Sequence, residues 1–131
     1  MADFSFDDFQ EAVSECLIRH RSVLDVMTKF QEASSRVNRA MAKSVTACGC
    51  MHVNASKQRF PEDSSFTDLK LTVSSHIEGE ICPECKEVLE TEIGQTLFYL
   101  VGLCTLTDVD FGDIINRECE HLRMLGLFNM R

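Results

Sequence analysis

The chain has no tryptophan, one tyrosine, two prolines and six glycines in 131 residues. So few breakers and turn formers disfavour an all-β sandwich or barrel, which needs a turn every 8 to 12 residues. Long apolar runs are missing too, and none approaches the ~20 residues of a bilayer span. Positive charge is scarce: 13 Lys+Arg stand against 21 Asp+Glu, a net charge of −8. A general binder of nucleic-acid backbone needs clustered Lys and Arg, so a nucleic-acid partner is not expected. The opening Met1-Ala2-Asp3-Phe4-Ser5-Phe6-Asp7-Asp8 is acidic where a secretory signal is basic, which points to a cytoplasmic chain without a membrane partner. What is present is a 44% hydrophobic, 26% charged composition that can close one core, so a single domain over residues 1–131 is expected.

From Phe6 to Cys48, positions 6, 9, 13, 16, 20, 23, 27, 30, 34, 37, 41, 44 and 48 step by three and four, the seam of a long helix. Only His20, Ser34 and Ser44 interrupt its apolar or cysteine character. Such a helix either breaks near Ser34-Ser35 or pairs along its length with a partner. Residues 49–65, with Gly49, Asn54 and Pro61, read as a loop. A capping-box-like Ser65-Phe66-Thr67-Asp68 predicts a short helix over Phe66 to Glu78, stopped by Gly79. Pro83 suits the first position of a helix running to about Leu106. A last helix, capped by Asp108 or Asp110, carries Phe111, Ile114, Ile115, Leu122 and Leu125 on one side and ends at Gly126. The expected fold is all-α, a four-helix, bundle-like arrangement with a long first helix and a cysteine loop between helices 1 and 2.

Seven cysteines in a chain expected to be cytoplasmic read as thiols or metal ligands before disulfides. Cys48-Gly49-Cys50 and Cys82-Pro83-Glu84-Cys85 each bring two sulfurs to one turn, as a tetrahedral ion requires. Zinc leads over an iron–sulfur cluster, a redox CxxC and buried thiols; His52 or His76 could stand in for one sulfur. A four-sulfur sphere leaves no position for water, so the ion's role is structural, stapling the 49–65 loop to residues 82–85. Cys16, Cys104 and Cys119 read as small core residues, His20 as a seam histidine and His121 as solvated.

Residues Val88 to Val101, with Glu90, Glu92, Gly94 and Phe98-Tyr99, resemble the third-helix segment of MazG-type nucleotide pyrophosphohydrolases, the all-α NTP pyrophosphatase superfamily. Asp108 to Ile115 is similar to that family's link into its last helix, and Phe30 to Ala40 to its ExxE segment. The family holds magnesium on two acidic pairs, ExxE and ExxD. At the matching positions this chain has Ala33 and Arg36, then Glu92 and Gln95, so one carboxylate of the four remains. The resemblance therefore implies a zinc-stabilised MazG-like protein with a nucleotide-binding or regulatory role and lost or weak pyrophosphohydrolase activity. Two alternatives stay open. One is an active magnesium-dependent enzyme working through Glu32, Glu90 and Glu92; the other is a purely structural interaction module. Arg36 and Arg39 are the candidate contacts to a nucleotide's phosphates. A homodimer built mainly on the first helix is expected, because Phe6, Phe9, Val13 and Val23 would otherwise lie bare.

Overall fold

The computed structural model describes residues 3–17, 22–60, 62 and 73–125. Within these residues the fold is mostly helical: α1 (Phe6–Cys16), α2 (Val23–Lys43), α3 (Pro83–Leu106) and α4 (Phe111–Leu125). A five-residue π-helical turn (Ser44–Cys48) ends α2, and β1 (Met51–Val53) pairs antiparallel with β2 (Ile77–Gly79), with Met51 opposite Gly79. Among the described residues no helix is long and apolar enough to cross a membrane.

The single long first helix is not formed. Helix α1 stops at Cys16 and α2 starts at Val23, so the break falls well before Ser34-Ser35. Both serines lie within α2, and their hydroxyls donate to the Gln31 carbonyl, at 2.9 Å from Ser34 and 3.0 Å from Ser35. His20 lies outside the described residues. Helix α1 begins with a full capping box: the Ser5 hydroxyl accepts from the Asp8 N–H at 3.1 Å, and the Asp8 carboxylate accepts from the Ser5 N–H at 2.9 Å. The Ser5 bonds hold the Asp8 carboxyl below its ordinary pKa.

The fold also departs from purely α at the expected helix over Phe66 to Glu78. Residues 73–76 are irregular and Ile77–Gly79 are strand, while 66–72 lie outside the described residues. Ile77, Glu78 and Gly79 find their backbone partners on Met51–Val53, and the Asn54 N–H extends the ladder to the His76 carbonyl at 2.9 Å. The cysteine loop therefore lies between the second and third helices and contains a β-ladder. By contrast α3 and α4 stand where the sequence puts them. The Asp110 carboxylate caps α4 through the Asp113 N–H at 2.9 Å, and Gly126 lies outside the described residues.

Helices α2 and α3 run antiparallel and make the most extensive contact in the fold. Arg36 meets Glu92 at mid-length, Val26 approaches Gly102 at one end, and Cys48 meets Cys82 at the other. Helix α1 closes over the end remote from the cysteines. The core cluster there is Val13, Leu17, Val26, Val101, Cys104 and Phe111, with Phe9 and Phe98 packed against it. Phe6 and Phe9, expected to be bare, both lie against Phe111, with ring centroids 5.7 and 6.4 Å away. Phe9, Val13 and Leu17 form the inward row of α1, spaced by four, which leaves Cys16 exposed; Cys119 is exposed as well, and only Cys104 of these three is a core residue. Burial pushes the Cys104 thiol pKa up and keeps it a neutral core group.

Gln10 locks α1 onto the α3–α4 link. Its amide donates to the Val109 carbonyl at 2.9 Å, and its carbonyl accepts from the Phe111 N–H at 2.8 Å. Gln10→Ala strips partners from both backbone groups and should cost about 1–2 kcal/mol, read as a lower urea midpoint at an unchanged slope.

Candidate metal centre

The cysteine cluster is assembled from three backbone devices. At the end of α2 the helix widens into the π turn, which presents Cys48, and Gly49 then reverses the chain in the left-handed region at φ +79°. The Gly49 N–H closes the turn on the Ser44 carbonyl at 3.0 Å. Ser44 is 1% exposed and donates its hydroxyl to the Met41 carbonyl at 2.6 Å. Its carbonyl also takes the Cys50 thiol at 3.6 Å. On the far side, Cys82 is the N-cap of α3, and its sulfur accepts from the Cys85 N–H at 3.4 Å. Between them the ladder brings Gly79 against Cys50 so closely that a β-carbon at Gly79 would lie 2.7 Å from the Cys50 carbonyl oxygen. Gly79 also has φ +85°, so glycine is required there on two counts.

The result is that Cys48, Cys50, Cys82 and Cys85 hold their sulfurs within 4.8 Å of one another. The Cys48–Cys82 separation is 3.8 Å, far beyond a disulfide, and all four cysteines are free thiols. A tetrahedral ion with sulfurs at about 2.3 Å places them about 3.8 Å apart, so the spacing fits one metal ion. The cluster is electrically uneven before any ion binds. The Cys85 N–H and the Cys85 thiol foremost draw the Cys82 pKa down to about 7. Cys85, sharing its thiol proton with Cys82, is pushed up to about 12.

Neither histidine considered as a substitute ligand joins the cluster. His52 is exposed on β1 opposite Glu78, and His76 precedes β2. His121 is half-exposed beside Glu118 at 3.8 Å, in keeping with a solvated position. Sequence reasoning missed Gly79 and Ser44, which position Cys50. Gly79 carried a signal, since glycine three residues before a CxxC permits a left-handed approach, but it was read as a helix stop.

The carboxylates named as catalytic candidates are also placed. Glu32 on α2 and Glu92 on α3 converge, but on Arg36: its Nε donates to Glu92 and its Nη1 to Glu32, both at 2.8 Å. The shared guanidinium is held between two acceptors, and its pKa is raised above the ordinary arginine value by the Glu92 bond foremost. Lys29 reaches Glu32 at 3.5 Å as well. Glu90 does not join them; it is exposed and faces Lys86 at 3.9 Å. Arg39 is exposed and makes no ion pair among the described residues. Ala33 is fully buried and Gln95 exposed, so neither supplies a cation ligand. An open depression of about 540 Å³ lies elsewhere, lined by Asp7, Glu11, Glu15, Asp108 and Asp110, charges that repel a triphosphate.

These features define a mostly helical protein with a four-cysteine cluster suited to one metal ion. No protein-family model, curated protein or solved structure matches the chain.

Proposed function

We propose that the chain is a zinc-stapled, MazG-like helical protein of the cytoplasm with a nucleotide-binding or regulatory role and little or no pyrophosphohydrolase activity. The observation that carries the metal reading is the four sulfurs within 4.8 Å. A cluster of two or four irons interposes several atoms between its thiolates and spreads them more widely, so the spacing favours a single ion, and four thiolates suit zinc. Four protein ligands close the sphere, and zinc then supplies folding free energy rather than an activated water. Cys48 and Cys50 hold it from the end of α2, Cys82 and Cys85 from the start of α3.

The Arg36 bridge favours the non-hydrolytic reading. A magnesium ion needs free carboxylate oxygens and tolerates no cation between them. Here a guanidinium sits at the point where Glu32 and Glu92 meet. Phosphate contact would fall to Arg36 and Arg39, which share α2.

Two measurements on the purified protein test this. Elemental analysis should return about one zinc per chain and a colourless protein; visible absorption with iron in place of zinc would overturn the metal reading. Incubation with ATP, GTP, dCTP, dUTP and dTTP and excess Mg²⁺ should release no pyrophosphate above background. Turnover of about 1 per second or faster would restore the enzyme reading.

A further inference from the structure

Cys48 is exposed and Cys50, Cys82 and Cys85 are half-buried, so the cluster lies at the surface, whereas the core thiol Cys104 is buried. A small reagent in water can reach sulfur here. The four sulfurs are not equally free to move. The Cys50 thiol lies on the Ser44 carbonyl at 3.6 Å, its own carbonyl packs against Gly79, and Cys85 stands inside the first turn of α3. Cys48 and Cys82 stand instead at the ends of elements. Cys48 closes the π turn just before the left-handed Gly49, and Cys82 is the extended N-cap of α3, at ψ 161°. Their sulfurs are 3.8 Å apart, so an approach of about 1.8 Å separates them from a disulfide bond.

We propose that this pair is an oxidation site: a peroxide joins Cys48 to Cys82 as a disulfide, and the centre gives up its ion while α2 and α3 stay tied. The ion released rests on the metal reading above; the bond rests on the geometry alone. The Cys48 thiolate attacks one oxygen of hydrogen peroxide, the O–O bond breaks, hydroxide leaves and Cys48 becomes a sulfenic acid. The Cys82 thiolate then attacks the Cys48 sulfur, the S–S bond forms and a second hydroxide leaves. Two thiolates have lost two electrons, and both peroxide oxygens have ended as hydroxide. Only Cys50 and Cys85 then remain as thiol ligands, one from each side, too few for a four-coordinate site.

The disulfide spans the same gap as the ion, between the end of α2 and the start of α3. Oxidation therefore exchanges a metal staple for a covalent one and does not open the fold. A bond between residues 34 positions apart constrains the unfolded chain, as the metal staple does. Reversible disulfides of this kind are how chains in a reducing compartment sense oxidants, and a thiol reductant undoes them by exchange. What the oxidant controls is the bound ion, and the helices are left in place.

The full, zinc-loaded chain, freed of reductant and given excess hydrogen peroxide, should release about one zinc per chain to a zinc-sensitive dye. Peptide mapping should place the new bond between Cys48 and Cys82, and dithiothreitol should restore zinc binding. The oxidised protein should keep its helical circular dichroism and melt several degrees above the reduced, chelator-stripped chain. Cys48→His keeps a fourth donor but removes the disulfide, so it should bind zinc and release it to peroxide at least about tenfold more slowly. Cys119→Ser, exposed on α4, should release zinc as the wild type does. Cluster cysteines that all still alkylate after treatment would overturn the proposal. So would a bond within Cys48–Cys50 or Cys82–Cys85, or sulfinic acids in place of a disulfide. A reduced chain that carries no zinc overturns the metal reading instead, and mapping of the Cys48–Cys82 bond still decides this one.

Discussion

Cys82→Ser should yield a chain that no longer retains its metal and melts about 10–20 °C lower, the largest effect expected from any single substitution at the cluster. Cys82 has two roles, and serine preserves one of them. As N-cap of α3 the Cys82 sulfur accepts from the Cys85 N–H, a task a serine hydroxyl performs well. In the proposed metal centre it would supply a thiolate, 3.8 Å from the Cys48 sulfur, and serine, whose hydroxyl stays protonated at neutral pH, would supply none. The start of α3 is therefore kept while the staple is lost, so the loss of stability reports the metal alone. Helical circular dichroism should fall little, because α1, α2 and α3 still share the core around Val26 and Val101. Amide exchange should accelerate over residues 44–53 and 77–82, where the turn and the ladder have few other anchors. Stripping the wild type with a strong chelator should reproduce both results. Cys119→Ser, exposed on α4, should change neither metal content nor melting temperature. A Cys82→Ser protein that kept one zinc per chain and the wild-type melting point would dismiss the staple.

The second large effect is at Leu17, 1% exposed at the end of α1. Leu17 fills the space that Gly102 leaves on α3: a β-carbon at Gly102 would stand 3.3 Å from the Leu17 Cδ2 and 3.6 Å from the Val26 Cγ1. Leu17→Ala opens a cavity between α1, α2 and α3 and should cost about 3–5 kcal/mol in chemical denaturation. Gly102→Ala on its own gains helix propensity of about 1 kcal/mol but presses on Leu17, so its net effect should be near zero. In the Leu17→Ala background the pressure is gone, and the same change should recover about 1 kcal/mol or more. Additive effects of the two substitutions would show that the pair does not share this space.

Much of the architecture was legible in the residues because its signals are local. Pro83 at a first helical position fixed the start of α3, and the Asp110 carboxylate the start of α4; each acts within a turn of its own position. The four cysteines were legible for a similar reason, since CxC and CxxC spacings are set by what a single turn can bring to one ion. The break between Cys16 and Val23 was not. The three-and-four stepping of apolar residues runs through it without a change of phase, and no proline or glycine marks it. Two helices that face one core carry the same periodicity as one long helix. Strands β1 and β2 were equally hidden: each is three residues long, too short for alternation to register, and each exists by pairing with a segment more than twenty residues away.

By itself, then, the sequence determined the helical character, the extent of α3 and α4 and the identity of the thiols that gather, because capping, periodicity and ligand chemistry operate over a few residues. The tertiary structure alone decided the rest. It broke the first apolar seam into α1 and α2, set Gly79 against Cys50 and delivered four sulfurs to within 4.8 Å. It also placed Arg36 between Glu32 and Glu92, which meet only because α2 and α3 lie antiparallel in this register. Those outcomes rest on contacts between residues dozens of positions apart, and such contacts are fixed by how whole helices pack, which no local pattern of residues encodes.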